Sequence, residues 1–334
     1  MKTTKIILLF TIIFAVFVAS ISIGSANISP FDIARAFLYT IFGVGQPDDT
    51  HIAILLNLRL PRALLAFIVG ASLSVSGAIM QSVLRNPLAS SFTLGVSSGA
   101  SLGAALIIML PTFFAFTLPL AGFVFGMLTI IFVIAISARI DGKNYTIILV
   151  GMIMSLFVNA ATSLLVSLNR EHASRLIFWQ MGSFSMQGWS TVILLAAITL
   201  VGILLTMRYH RELDIMTFGE EQAQLLGVNL RSVKWVLLII SAAITGSAIA
   251  FVGIIGFVDL VAPHIVRRIF GARHKLIIPL SACFGGAFMM LCDLIARSVL
   301  DARELPVGVV SALVGAPFFA YVYFRKGGRD AKTA

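Results

Sequence analysis

Long apolar stretches separated by short polar gaps recur along the whole chain. A membrane-crossing helix needs about 20 mostly apolar residues, and nine runs come close to that length or exceed it. These runs are 6–23, 63–84, 92–110, 113–137, 145–168, 191–207, 235–257, 276–296 and 306–324. The pattern predicts an all-α, polytopic bundle of membrane helices forming a single transmembrane domain over residues 1–334.

The first run has two interpretations. Residues 6–23 follow two lysines and precede a small-residue stretch at 24–26, which together are also typical of a cleavable signal peptide. Because so many apolar runs follow, we favour an uncleaved first helix. The Ser-Pro-Phe-Asp sequence at 29–32 then predicts a helix start at the membrane interface, with the helix extending to Phe42.

Charge decides whether the short segment 259–270 also crosses the membrane. Cytoplasmic loops carry an excess of Lys and Arg. Ten crossings place about two thirds of the 24 basic residues in cytoplasmic loops, whereas nine crossings place fewer than half there. We therefore predict ten transmembrane helices with both termini cytoplasmic, in which 259–270 is a short helix that returns toward the cytoplasm.

Composition excludes several function classes. The chain is 59% hydrophobic and 11% charged, with a mean hydropathy of +1.03, whereas soluble domains are about 25% charged. A net charge of +10 would suggest nucleic acid in a soluble protein. Here the basic residues lie between apolar runs, so we predict membrane lipid and no nucleic acid as a partner.

Candidate catalytic chemistry is sparse. The sequence contains no Gly-Lys-Ser or Gly-Lys-Thr, so we expect no P-loop in this chain. Cys283 and Cys292 would lie about 13 Å apart on one helix, too far for a disulfide. The five histidines are scattered without metal-ligand spacing. We predict no catalytic residue, no metal and no cofactor.

Two other classes remain as alternatives. An ion-coupled secondary carrier needs acidic groups buried near the midplane, and Asp259 and Asp293 fall near the outer ends of their predicted spans. Arg297, four residues after Asp293, lies on the same helix face and is expected to pair with it. A membrane-embedded enzyme needs a catalytic cluster within the spans, and neither HExxH nor a Ser/Lys pair is evident.

Two loops and one glycine pattern are unusual. The outer loop 169–190 holds apolar residues that predict a helix in the interface, either an aromatic anchor or a lid on a central passage. The inner loop 208–234 contains an amphipathic, helix-forming segment at 218–228. Gly95, Gly99 and Gly103 share one helix face, which indicates close packing within the chain or, alternatively, a subunit interface or pore lining.

Short motifs in a fixed order cover nearly the whole chain and resemble those of the FecCD-type permease family. This family comprises the membrane subunits of ABC importers for ferric siderophores, haem and cobalamin. The motifs are RLPR at 59–62, GAIMQ at 77–81, RNPLA at 85–89, LGVSSGA at 94–100, WQMGS at 179–183, GIIGFV at 253–258, PH at 263–264, ELPVG at 304–308 and GAPF at 315–318.

The resemblance implies a function and a set of partners. It implies a multi-pass permease subunit of the bacterial cytoplasmic membrane that makes no bond itself. A second permease subunit, a separate ATPase and an extracytoplasmic substrate-binding protein are the expected partners. The expected cargo is a ferric siderophore, with haem or cobalamin as the alternative within the family.

The resemblance also assigns residues to docking. In the family, arginines on the outer face receive acidic residues of the binding protein. The matching positions are Arg59, Arg62 and Arg297, all of which the predicted topology places outside. Charge-assisted pairs there would orient docking and speed association. The alternative is that these arginines only extend to the interface from helix ends, or that Arg297 pairs with Asp293.

Coupling and gating are assigned in the same way. The segment 218–228 matches the helix that lies in a groove of the ATPase, with the candidate residues Phe218, Gly219, Glu220, Ala223, Leu226 and Gly227. The inner gate matches Asn86 and Leu88 together with Asn144 and Tyr145. Tyr145 is bulkier than the small hydroxyl residue expected in the cobalamin importer, which disfavours cobalamin. The loop 169–190 matches the outer gate region.

Overall fold

The computed structural model describes residues 2–24, 49–110, 117–185, 187–300 and 303–330, together with the single positions 31, 33, 35 and 39. Regular structure within these residues is entirely helical. The predicted interface helix at 29–42 lies largely outside the described residues.

The described helices follow the apolar runs in order. They are α1 (Lys2–Ser22), α2 (Asp49–Ile54), α3 (Leu60–Val83), α4 (Val96–Met109), α5 (Leu118–Ile140), α6 (Asn144–Leu168), α7 (Ala173–Gln180), α8 (Trp189–Arg208), α9 (His210–Met216), α10 (Glu220–Leu225), α11 (Leu230–Val252), α12 (Val258–Phe270), α13 (His274–Ser298) and α14 (Val307–Asp330). A π-helical turn, Leu55–Arg59, joins α2 to α3.

The described part of the chain contains seven helices that are long and apolar enough to cross a membrane. The apolar helix α4, with 14 residues, is shorter than these seven. The separate short helix predicted at 259–270 is present as α12. These helices support a polytopic bundle, and the count of ten crossings and the orientation of the termini stay predictions.

Helix α3 lies at the centre of the bundle. Every residue from Val69 to Val83 is buried, against α8, α11, α12 and α13. Small residues make this possible because they let helix backbones approach closely. A Cβ atom at Gly77 would lie 1.8 Å from the carbonyl oxygen of Asp259 on α12, so only glycine fits there.

The glycine face of α4 packs inside the chain. A Cβ atom at Gly99 would lie 2.3 Å from the hydroxyl oxygen of Thr129, and one at Gly103 would lie 2.4 Å from the carbonyl oxygen of Ala121, both on α5. These contacts agree with the intrachain interpretation of the pattern. Helix α6, by contrast, is largely exposed along its length and carries large apolar side chains such as Leu156 and Phe157 on its surface.

Candidate docking, gate and coupling sites

Arg62, near the start of α3, is held between two carboxylates. Its Nε and Nη2 atoms donate to Oδ1 of Asp293 over 3.0 and 2.9 Å, and its Nη1 donates to Oε1 of Glu304 over 2.8 Å. Such fork-shaped pairing suits the planar guanidinium group. Asp293 is fully buried on α13, whereas Glu304 is half exposed just before α14. The contacts tie three segments together at what we call the arginine end of the bundle.

The other two arginines hold the end of α1. Arg59 donates to the carbonyl oxygens of Ile21 and Ser22 over 2.8 and 2.7 Å. Arg297 donates to the carbonyl of Ile23 over 2.7 Å and to that of Ser20. The last carbonyls of a helix lack intrahelical partners and carry partial negative charge, so cationic side chains stabilise them.

The structure therefore brings the three predicted docking arginines to one end of the bundle. The predicted pairing of Arg297 with Asp293 is present, with Nε and Oδ2 3.5 Å apart. The arginines are largely buried, and each is already bonded to other parts of the protein. Their docking role stays a prediction.

Glu304 is a member of this cluster that the sequence analysis did not assign. It belongs to the ELPVG motif, but nothing in its local sequence indicates a partner 242 positions away. The hydrogen bond from Arg62 holds the pKa of its carboxyl below its usual value. Its second oxygen accepts from the Ser185 hydroxyl over 2.7 Å, which connects the cluster to the outer loop.

The outer loop contains the predicted helix. A 3-10 turn, Arg170–His172, leads into α7, which buries Leu176 and leaves Ile177 and Phe178 exposed. The following WQMGS motif is bonded to two helix ends, because Ser183 N donates to Val252 O over 2.8 Å and Val307 N donates to Gly182 O over 3.1 Å. The loop is thus fixed to the ends of α11 and α14.

At the opposite end of α3, the predicted coupling segment forms the short helix α10. Regular helix covers Glu220–Leu225 rather than the whole of 218–228, since Gly219 and Gly227 have φ angles of 132° and 82° and interrupt it. Left-handed and related backbone conformations are accessible mainly to glycine. We call this the α10 end of the bundle.

The side chains of the coupling segment divide into anchors and exposed groups. Ala223 is buried, and Glu220 accepts from Lys234 on α11 over 2.8 Å. Phe218, Leu225 and Leu226 are 71%, 87% and 65% exposed, and we refer to these three exposed apolar side chains as the apolar patch. The large apolar side chains of the segment are therefore exposed, and its coupling role stays a prediction.

The predicted gate residues lie next to this segment. Asn86, Asn144 and Tyr145 line a cavity of about 600 Å³, and Glu220, Glu221 and Gln224 of α10 line the same cavity. Leu88 is 47% exposed on the loop after α3, where its backbone N donates to Oδ1 of Asn86 over 2.9 Å. The structure thus places predicted gate and predicted coupling residues around one space.

Tyr145 is held in place by the turn that precedes it. Its hydroxyl donates to Oδ2 of Asp141 over 2.7 Å, and the backbone N of Lys143 donates to Oδ1 over 3.0 Å. The first of these hydrogen bonds is the main cause that lowers the pKa of Asp141 to about 2. This contact between Tyr145 and Asp141 was not predicted from the sequence.

The two acidic residues considered for a carrier are both buried. Asp293 faces Arg62 and Arg297, so its charge is compensated. Asp259 lies in the first turn of α12, where Gln81 Nε2 donates to its backbone carbonyl over 3.2 Å. Across the described ranges, no group of three or more His, Cys, Asp and Glu side chains forms a metal-binding arrangement. Both cysteines are free thiols.

Comparison with known proteins gives consistent matches. The model of the FecCD transport family matches residues 11–325. The ABC transporter permease protein YvrB of Bacillus subtilis (strain 168) is 41% identical over 323 residues, 94% of this chain and 92% of YvrB. The hemin transport system permease protein HmuU of Yersinia pestis is 35% identical over 316 residues, 92% of each chain.

Two further matches come from an archaeal relative and a solved structure. The cobalamin import system permease protein BtuC of Halobacterium salinarum is 37% identical over 280 residues, 83% of this chain and 75% of BtuC. A metal-chelate type ABC transporter in an inward-facing conformation shares 29% identity at a TM-score of 0.85 and covers 97% of this chain and 99% of its own. These relatives are transport components rather than enzymes. The chain belongs to the FecCD transport family and is a multi-pass membrane permease of the ABC importer class.

Proposed function

We propose that this chain is the permease subunit of an ATP-driven importer that translocates a ferric siderophore delivered by a substrate-binding protein. Its partners are a separate ATPase and a second permease subunit, identical or paralogous. The chain forms one transmembrane domain over residues 1–334, with ten crossings and both termini in the cytoplasm. Its location is the bacterial cytoplasmic membrane.

The cavity at the α10 end is the observation that carries this proposal. Exposed apolar side chains on and beside a short helix fit a groove of a soluble partner, and Phe218, Leu225 and Leu226 supply such side chains. Residues of α10 line the same cavity as the gate residues. Rigid-body movement of an ATPase bound to the patch would therefore change the shape of the gate cavity.

The arginine end supports docking of the binding protein. A carboxylate of that protein would compete with Glu304 for Arg62, because Glu304 is half exposed while Asp293 is buried behind it. Exchange of one exposed carboxylate for another costs little, since exposed ion pairs contribute only about 0–1 kcal/mol. The pair Arg62–Asp293 would remain intact during docking.

The cargo is argued from the relatives. Hemin and cobalamin, named for two of them, are both metal chelates, and the solved neighbour is of the metal-chelate type. The bulk of Tyr145 at the gate cavity disfavours cobalamin, so we place a ferric siderophore first. Haem or cobalamin is the alternative. An ion-coupled carrier loses its support, because the family consists of ABC permeases.

The cargo is tested by uptake in a deletion strain and its complemented control. The panel contains radio-iron-labelled hydroxamate, catecholate and citrate chelates, hemin and labelled cobalamin. We expect loss of uptake for one iron chelate class and its recovery on complementation. Loss for hemin or cobalamin alone would replace the siderophore assignment by the corresponding alternative.

The coupling role is tested with Leu226→Asp and the matched control Leu226→Met. The aspartate places a charge in the patch, whereas methionine keeps it apolar at similar volume. We expect Leu226→Asp to lose co-purification of the ATPase and Leu226→Met to retain it. Equal co-purification of both variants would contradict an ATPase groove around this segment.

A further inference from the structure

A network of polar side chains, partly exposed at Asp214 and buried at His274 and Ser82, connects four helices at the α10 end. Asp214 on α9 accepts from the backbone N of His274 over 2.8 Å, and its Oδ1 lies 2.6 Å from Nδ1 of the same residue. His274 begins α13, and its Nε2 lies 2.6 Å from the hydroxyl of Ser82 in the last turn of α3. His274 and Ser82 are both buried.

The network of polar side chains continues from Ser82 to α12. Arg267 donates through Nη2 to the Ser82 hydroxyl over 2.8 Å and through Nη1 to the side chain of Gln81. Gln81 Nε2 in turn donates to the carbonyl of Asp259. A fully connected network of this kind makes its helices resist independent movement, because any displacement leaves a buried polar group without a partner.

The order Asp–His–Ser is also that of hydrolytic triads, but the surroundings exclude that role. The Ser82 hydroxyl is 2.7 Å from the carbonyl oxygen of Ala78, to which it donates, and it also contacts His274 and Arg267. A nucleophile needs a free approach for its substrate. The buried and fully surrounded Ser82 hydroxyl has none.

The position of the network suggests a mechanical role. Helix α9 ends at Met216, just before the coupling segment, and it is anchored in the bundle by the buried side chains of Leu213 and Met216. At the other end of the network, Ser82 precedes the gate residue Asn86 by four positions. A displacement of α10 therefore reaches α9 through the polypeptide backbone between them. From α9 it can reach the gate through Asp214, His274 and Ser82.

We propose that Asp214, His274 and Ser82 are positioning residues that transmit movement of the coupling segment to the gate end of α3. This inference rests on the proposed function, since it takes the ATPase to act on residues 218–228. It adds a connection that the coupling segment does not contain itself. The contact of Glu220 with Lys234 joins α10 to α11, whereas the Asp214 network joins α9 to α3, α12 and α13.

The test follows the gate with a reporter that needs no cargo. The chain carries Cys283→Ser, Cys292→Ser and Leu88→Cys and is purified with its ATPase in nanodiscs. The rate of reaction of position 88 with fluorescein maleimide is measured without nucleotide and with ATP plus vanadate. The ratio of the two rates reports how strongly nucleotide binding moves the gate, and ATP hydrolysis is measured in parallel.

Asp214→Ala removes both bonds to His274 at a partly exposed position. Residues that carry coupling change it by about 0.5–2 kcal/mol, or about 2- to 30-fold. We expect the rate ratio to fall about fivefold while ATP hydrolysis stays within about twofold of the parent. Asp214→Asn keeps the shape of the side chain but loses its charge, and it should lower the rate ratio less than Asp214→Ala. It replaces Asp214→Ala in the test if the alanine variant does not assemble with the ATPase.

Thr217→Ala is the matched control. It removes a hydrogen bond of 2.7 Å just after the same helix, from the Thr217 hydroxyl to the backbone carbonyl of Asp214, and leaves the side-chain contacts of the network in place. Its rate ratio should equal that of the parent. An unchanged ratio in both Asp214 variants would overturn the inference, and so would a fall in assembly and ATP hydrolysis with no change in the ratio.

The two proposals fail in different ways. If Leu226→Asp retains its ATPase, the coupling segment is misassigned and the proposed function fails at that point. If Leu226→Asp loses the ATPase while Asp214→Ala keeps the full rate ratio, the proposed function stands and only the transmission through His274 and Ser82 is wrong.

Discussion

The cluster at the arginine end allows a quantitative test through Asp293→Ala. The Asp293 side chain is 1% exposed and is the charge partner of Arg62, 16% exposed, and of Arg297, 9% exposed. Replacing Asp293 by alanine would remove the carboxylate that lies between the guanidinium groups of Arg62 and Arg297, and both groups would stay in a largely buried site. Removing one partner of a buried ion pair costs about 3–5 kcal/mol, so we expect a loss of that size in the free energy of unfolding.

Glu304→Ala provides the comparison within the same cluster. It removes the other carboxylate of Arg62 at a similar distance, 2.8 Å, but from a side chain that is 48% exposed. Solvent screens such pairs, and their contribution is about 0–1 kcal/mol. Both variants remove a carboxylate from Arg62, but Asp293 also pairs with Arg297, so the difference between them measures burial together with this second ion pair.

The assay is reversible unfolding in mixed detergent micelles with increasing dodecyl sulfate, followed by intrinsic tryptophan fluorescence. The native reporters are Trp179, Trp189 and Trp235, so no label is needed. Asp293→Ala should unfold at clearly lower denaturant than Glu304→Ala. If the two variants lose the same free energy of unfolding to within about 1 kcal/mol, the argument that burial makes the Arg62–Asp293 pair different from an exposed pair is refuted.

Three further outcomes follow from the structure. Lowering the pH from about 7 to about 2 should remove the stabilisation by Glu304, because the hydrogen bond from Arg62 lowers the pKa of its carboxyl in the folded protein. This stabilisation is complete above the unfolded pKa of about 4.3 and is lost as the pH falls through the lower folded pKa. Glu304→Gln should lack this pH-dependent part in the same unfolding assay. Gly77→Ala should lower the free energy of unfolding by about 1–3 kcal/mol, because the added methyl group collides with the Asp259 carbonyl. Gly142→Ala should lower it by only about 1 kcal/mol, because no atom lies within 4 Å of the added methyl group and only the positive φ of this residue is unfavourable for alanine. Tyr145→Phe should raise the pKa of Asp141 from about 2 toward its ordinary value, which carboxyl NMR of labelled protein would detect.

Much of the fold could be predicted from the sequence because membrane helices follow from local composition. Each apolar run coincides with a helix, and the charge pattern separated the short segment 259–270 from its neighbours. Helix ends shifted by several residues, as at Leu230, because polar residues continue a helix beyond the hydrocarbon region. The coupling segment was predicted from its helix-forming residues between two glycines, but its regular part is shorter because Gly219 and Gly227 interrupt it.

The pairing of side chains could not be predicted, because it depends on which helices pack together. Arg62 and Asp293 are 231 positions apart, and His274 and Ser82 are 192 apart. A helical wheel indicates that Asp293 and Arg297 share a face, and this local pair was found. No equivalent rule identifies the opposing helix. The sequence therefore predicted a docking role for Arg62 but not its ion pair with Asp293, which forms because α3 packs against α13.

The central position of α3 links these observations into one mechanical argument. Its 24 residues span about 36 Å, with Arg62 near one end and Ser82 at the other. Both ends are bonded to the same neighbour, α13, through Asp293 and His274. Two helices fixed to each other at both ends move as one body, and close packing at Gly70 and Gly285 removes the space for sliding between them. A displacement that enters at Asp214 is therefore expected to reach the arginine end through the α3–α13 pair as a rigid unit rather than through a path of separate side chains.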